Sequence, residues 1–169
     1  MLHTLRRTRS CFWKNSSWPL KFSQKIYLKL ISQKTSVTPK TFLFCAICLK
    51  KANQTKSAIS VLEKSTKLCG ECAEVTLLKG KLQLEESDFA EAEKSFKRLL
   101  QLEPKREEHW IGLIDSLAGK SELSAAIATC KDAAKTIPSF RNSAARKIVK
   151  LLLQEQQFEE AEKVINRVF

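Results

Sequence analysis

The sequence predicts an all-α protein, an α-α solenoid of antiparallel helix pairs. Three observations carry this. First, residues recur at a period of 34: Ala58, Ala92 and Ala126 are so spaced, Leu62, Phe96 and Cys130 follow each of them by four, and Pro104 and Pro138 are again 34 apart. Second, within a period the apolar residues fall at i, i+4 and i+7, as in Ala92, Phe96 and Leu99, which is one face of a helix. Third, 43% of the 169 residues are hydrophobic and 28% charged, with 4 glycines. Such a composition excludes a disordered or collagen-like chain. The longest apolar run, residues 42–49, is far shorter than the roughly 20 residues a membrane-spanning helix needs, so no transmembrane segment is expected.

The period divides residues 39–169 into units 39–72, 73–106, 107–140 and 141–169, each read as two helices. In the second unit Gly80, Leu84, Phe89, Ala92, Phe96, Leu99 and Pro104 are the key positions. Asp88 with Glu91 has the spacing of a capping box at the start of the second helix. Pro104 terminates that helix, because proline cannot donate to the preceding turn. The last unit needs one extra residue, since Ala161 falls 35 after Ala126. No single helix pair can bury its own apolar face, so the units must stack. Small residues such as Ala46, Gly80, Ala92 and Ala126 allow close approach, and large ones such as Phe96 and Trp110 fill the space between neighbours.

These columns resemble the tetratricopeptide repeat (TPR) family, whose 34-residue pattern has a bulky residue, Leu-Gly, an aromatic, Ala, Phe and Pro. The best-matching stretch is GKLQLEESDFAEAEKSFKRLLQLEP, residues 80–104; the next unit supplies Trp110, Leu113, Leu117, Ala126, Ala133 and Pro138. Thr76, Lys79 and Gly70 stand where the family has Trp, Leu and Pro. The resemblance implies a right-handed superhelix that binds a peptide or amphipathic helix along the first helix of each unit, as a non-enzymatic scaffold or adaptor. By register that surface comprises Leu43 and Ile47, then Leu77, Lys81 and Leu84, then Ile111 and Asp115, then Ala145, Val149 and Leu152. The alternative is that a one-residue register error turns these side chains into packing. Family members that hold a chaperone's C-terminal carboxylate use a clamp of Lys, Asn and Arg. Leu43, Ile47 and Leu78 occupy clamp positions here, so a chaperone tail is not the expected partner, and only Asn142 and Arg146 are compatible with the clamp.

Charge separates the chain into two parts. Residues 1–62 contain 12 Lys and Arg and no acid, while residues 63–169 contain 18 of each sign, so the whole net charge of +12 lies ahead of Glu63. Residues 1–38, basic, Ser-containing and acid-free, have the composition of a mitochondrial targeting segment; an incidental composition is the plain alternative, with a cytoplasmic location. Nucleic acid is not an expected partner, because the basic excess thins out where the folded part begins.

Six cysteines include two CxxC pairs, Cys45/Cys48 and Cys69/Cys72, separated by 20 residues. On paper this is a four-cysteine zinc spacing, and a small zinc module joined to a helical tail is the main rival reading. The CAICL stretch also resembles the start of a RING finger, but His3 and His109 are the only histidines. CAIC contains no turn residue and suits a buried helix, so no cofactor or metal is expected. Catalytic residues are not apparent either: there is no phosphate loop, no GxSxG elbow and no material for a Ser-His-Asp arrangement. Carboxylates at Glu85, Glu86 and Asp88 and at Glu159, Glu160 and Glu162 read as solvated helix faces. Finally, Ala161, Ile165 and Val168 form an apolar stripe on the last helix; either the array is a shortened form of a longer protein or another chain covers the stripe, self-association being one such case.

Overall fold

The computed structural model describes residues 38–168. Cys11, residues 1–37 with the targeting reading placed on them, and the side chain of Val168 lie outside the described residues. The described residues form eight α-helices and one short 3-10 turn, with no strand among them. The architecture is that of antiparallel helix pairs, all-α as the period requires. The chain divides into two compact units at the Gly70–Glu71 boundary.

The first unit contains α1 (Pro39–Lys51) and α2 (Thr55–Cys69). Pro39 opens α1, where its fixed φ suits the first turn and its missing N–H costs nothing. The pair closes over Phe42, Cys45, Ala46, Cys48 and Leu49 from α1 and Ala58, Val61 and Leu62 from α2. Ser65 is fully buried beside them and its hydroxyl has no hydrogen-bond partner among the described residues. Gly70 ends α2 at φ +80°, a backbone state that glycine adopts without steric cost. The expected proline is therefore replaced by the other common helix stop.

The second unit contains α3 (Ala73–Glu85), α4 (Phe89–Leu102), α5 (Glu107–Gly119), α6 (Leu123–Thr136), a 3-10 turn (Pro138–Phe140), α7 (Arg141–Gln154) and α8 (Phe158–Val168). Each helix packs on the next, and α3 also touches α5. One continuous core runs from Ala92, Phe96 and Leu99 through Leu113, Ile114 and Cys130 to Phe140, Ile148 and Ala161. The ring of Phe96 on α4 is its wedge. A Cβ on Gly80 of α3 would lie 3.1 Å from that ring, and one on Gly112 of α5 only 2.1 Å from it. The ring thus lies against bare backbone on both sides, and α3, α4 and α5 close around it. Thr76, in place of the family's Trp, is buried and donates its hydroxyl to the Cys72 carbonyl at 3.1 Å.

The turn inside each pair repeats more regularly than its sequence. Asn53, Ser87, Ser121 and Gln156 all have φ between 56° and 62°. In each case the next amide reaches back five residues: Gln54 to Leu49 at 3.0 Å, Asp88 to Gln83 at 2.8 Å, Glu122 to Leu117 at 3.0 Å and Gln157 to Leu152 at 2.9 Å. This is a Schellman-type helix end, built four times without glycine. Only half of the capping box forms at α4. The Asp88 side chain accepts from the Glu91 amide at 3.5 Å, but the Glu91 carboxylate pairs with Lys94 at 2.5 Å. Pro104 lies two residues beyond α4. Its carbonyl accepts from the Trp110 indole at 2.7 Å, while buried His109 places Nδ1 3.2 Å from the Glu103 carbonyl. The proline turn and the start of α5 are thereby tied together.

The wedge makes a graded prediction. Phe96→Ala removes a fully buried ring and is expected to cost about 3–5 kcal/mol. Gly112→Ala forces the ring aside and is expected to cost about 1–3 kcal/mol, whereas Gly80→Ala, with room nearly sufficient and better helix propensity, stays within about 1 kcal/mol of the parent. Urea unfolding of the three variants checks the order; equal effects at Gly80 and Gly112 would contradict it.

Candidate functional site

The first helices of the stacked pairs, α3, α5 and α7, lie side by side. α3 touches α5, and across their surface Lys81 is ion-paired with Glu108. Asp115 of α5 pairs with Lys147 of α7 at 2.5 Å. On α3 the outward stripe is Glu74, Leu77, Lys81 and Leu84; on α5, 34 residues on, it is Glu108, Ile111, Asp115 and Ala118. Leu77, Lys81, Leu84, Ile111 and Ala118 are half-buried, with the ends more exposed. The sequence-derived residues of α3 and α5 are therefore together on one accessible face.

On α7 the face moves by one residue. Leu152 is fully packed in the core, Ala145 is buried and Val149 is half-buried against the core. The buried residues explain why. His109, Leu113, Ser116 and Leu117 of α5 have their buried counterparts at Ala144, Ile148, Leu151 and Leu152, all 35 residues on. The same step of 35 relates Ser121 to Gln156 at the left-handed turn. The extra residue thus enters before the buried stripe of α7, not after it. It enters at the connection where Pro138–Phe140 forms the 3-10 turn and Phe140 is driven fully into the core. The outward stripe of α7 is consequently Ser143, Arg146, Lys150 and Leu153, all exposed. Asn142 and Arg146 no longer hold the clamp positions assigned to them, which fall on Ser143 and Lys147. The proline-bounded turn was the available signal: a bulky Phe140 stands where the preceding unit has the charged Arg106.

In the separate unit 38–70, Leu43 is half-buried and Ile47 is exposed on α1. At the far end of the second unit, Ala161 is buried against the core while Ile165 is exposed, so the apolar stripe of α8 is partly used by its own packing.

Cys45, Cys48 and Cys130 are buried, and Cys69 and Cys72 are partly exposed. Cys45 and Cys48 are buried within α1; Cys69 closes α2 and Cys72 opens α3. Among the described residues no three Cys, His, Asp or Glu side chains gather as a metal-holding group. Burial raises both the Cys45 and Cys48 thiols, Cys48 adding to the rise at Cys45 and Lys51 opposing it at Cys48. Cys130, fully buried on α6, is pushed up to about 11 by burial, against the pull of Lys147. Such thiols are poor nucleophiles. Glu93 is held below the usual carboxylate range by hydrogen bonds from Lys120 and Lys97. Its position between two lysines on a helix surface is that of an ion pair.

The similarity to known proteins lies in the fold. No family pattern and no curated relative matches the chain. Solved structures of MamA do: residues 41 to the end of MamA from Desulfovibrio magneticus RS-1 superpose with a TM-score of 0.70 at 16% identity, covering 90% of this chain and 92% of that one. A further MamA crystal structure gives 0.70 at 18% identity over 88% and 84%. At this identity the likeness establishes a shared helix-pair architecture.

Two predictions arise from the thiols. Cys130 ionises near 9.0 in the unfolded chain and near 11 in the folded one, so the folded state keeps its proton longer and stability falls as pH rises through that window. The loss attributable to this residue is about 2–3 kcal/mol, and the stability difference between wild type and Cys130→Ala is expected to narrow by that amount between pH 9 and pH 11. Zinc measured on the purified protein by mass spectrometry of the metal is expected well below one equivalent per chain; a stoichiometric zinc that four Cys→Ser changes at 45, 48, 69 and 72 abolish would restore the metal-module reading.

Proposed function

We propose that this chain is a TPR-type protein-interaction scaffold, non-enzymatic, that holds an amphipathic helix or apolar peptide along its first helices. The observation that carries this is the outward stripe of α3 and α5. Leu77, Leu84, Ile111 and Ala118 stand at equal helical spacing on neighbouring first helices, packed against the core on one side and partly exposed on the other. Lys81 and Glu108 neutralise one another across them, which leaves an apolar strip with little net field. Recognition of that kind is helix-in-groove binding, in which i, i+3 and i+4 apolar anchors of the ligand meet a hydrophobic floor. Several carboxylates and lysines of the surface are held in ion pairs, such as Lys120–Glu93 and Lys147–Asp115. The family resemblance of the repeat columns, together with the helix-pair architecture, supports the same conclusion.

The test is selection of peptides from a display library on the full-length protein. Amphipathic sequences with apolar residues at helical spacing are expected to be enriched. Their affinity is expected to fall at least about tenfold, close to 1.4 kcal/mol, on Leu77→Glu with Ile111→Glu, with the far-UV circular dichroism unchanged. Enrichment of sequences without that spacing, or binding indifferent to both changes, would remove the basis for the proposal.

A further inference from the structure

We infer that the α7 end of this face selects an acidic partner: an amphipathic helix whose apolar stripe lies on α3 and α5 and whose carboxylates meet Arg146 and Lys150. The inference rests on the reading of the face as a helix-binding surface and adds the chemistry of its occupant.

The argument begins with the displaced register of α7. Because the extra residue precedes its buried stripe, the two positions that α3 fills with Leu77 and Lys81, and α5 with Ile111 and Asp115, are filled on α7 by Arg146 and Lys150. These lie four apart on one helix face, so they present a pair of cations one above the other. Both are exposed, and neither has an ion-pair partner among the described residues. Two other charges of the face are already matched. Lys81 is held by Glu108, and Asp115 is held by Lys147, itself half-buried and one position along from Arg146. α7 carries no acidic residue at all in Arg141–Gln154, so nothing on its own helix can neutralise the pair. At the opposite edge of the face stands Glu74 on α3, exposed and without an ion-pair partner among the described residues. The face is therefore polarised, apolar in the middle with a surplus of positive charge at α7.

A ligand helix crossing three first helices, each roughly 10 Å from the next, covers roughly 20 Å, or about 13 residues at 1.5 Å per residue. Its complement is a stripe of Leu or Ile against Leu77, Ile111 and Leu84, with Asp or Glu at the end that reaches α7. A basic ligand would meet Arg146 and Lys150 head-on. Exposed charges contribute more to choice of partner and to association rate than to raw affinity, and they are screened by salt, so the signature is discrimination between ligands at low ionic strength.

The experiment uses the full chain and three synthetic peptides of about 18 residues, long enough to cover the face. They share one leucine stripe and carry, at one end, four Glu, four Gln or four Lys. Binding is read by fluorescence anisotropy at low and high salt. The Glu peptide is expected to bind about tenfold tighter than the Gln peptide at low salt, with the Lys peptide weakest, and the preference is expected to shrink as salt rises. Arg146→Glu with Lys150→Glu is expected to abolish or reverse the preference, read as the ratio of Glu-peptide to Gln-peptide affinity. Lys105→Glu with Lys131→Glu, an equal change of net charge at exposed positions off this face, is expected to leave it intact. If the two double variants reduce the preference equally, the selectivity comes from overall charge, including the basic N-terminal segment, and the inference fails. If the three peptides bind equally and Leu77→Glu abolishes all of them, the face binds helices without charge selection: the inference fails and the proposed function stands. If no peptide binds, both fail together.

Discussion

The second unit depends on one contact, the Phe96 ring lying between the backbones of α3 and α5. A helix surface normally offers side chains to its neighbour, and the interaxial distance follows from their size. Here glycine on both sides lets the ring reach main chain, so three helices approach a common point. The Gln83–Ser95 hydrogen bond at 2.8 Å, buried beside it, fixes the pairing of α3 with α4 where a purely apolar contact would allow sliding. The Trp110 and His109 contacts to the Pro104 turn then fix how α5 leaves α4. Stacking, turn and helix start form one connected arrangement.

That arrangement also determines what remains for recognition. The second helices and the inward faces of the first helices are spent on the core, as Leu82, Ile114, Leu99 and Ala126 show by their near-complete burial. The outward faces of α3, α5 and α7 retain side chains that are exposed or only partly buried. Their half-buried leucines and isoleucine have lost part of their hydration without gaining full packing, and of the charges around them Lys81, Glu108 and Asp115 are ion-paired, whereas Arg146 and Lys150 have no ion-pair partner among the described residues. The partner proposed for this surface would be held by completing burial and charge balance. The exposed surface ion pairs contribute little to stability individually; their consequence is to set which charges are left over.

Much of the fold was legible in the residues. The recurrence of Ala58, Ala92 and Ala126 with Leu62, Phe96 and Cys130 located the second helices of the first three pairs, because burial at a helix–helix contact imposes both size and spacing. The start of α5 at Glu107 and the end of α4 at Leu102 lie where Pro104 requires a break. The left-handed turns were not legible: the four positions are Asn53, Ser87, Ser121 and Gln156, none a glycine, and what all four share is a backbone bond five residues back from the next amide. The half-formed capping box at Asp88 shows the same limit, since Glu91 had a second partner available in Lys94. The face itself was legible on α3 and α5 and misplaced by one residue on α7.

The amino-acid sequence by itself determined the period, the helix pairs, the small residues at close contacts and the presence of one extra residue in the last unit. These follow from local periodicity and from side-chain volume, both of which a single chain displays openly. The tertiary structure alone decided where that extra residue is accommodated. It lies at the turn that buries Phe140, between Pro138, which keeps the 34-residue step from Pro104, and Ala144, which stands 35 after His109. A helix displaced by one residue turns each side chain through about 100°, so this one packing choice put Ala145 and Leu152 inside and Arg146 and Lys150 outside.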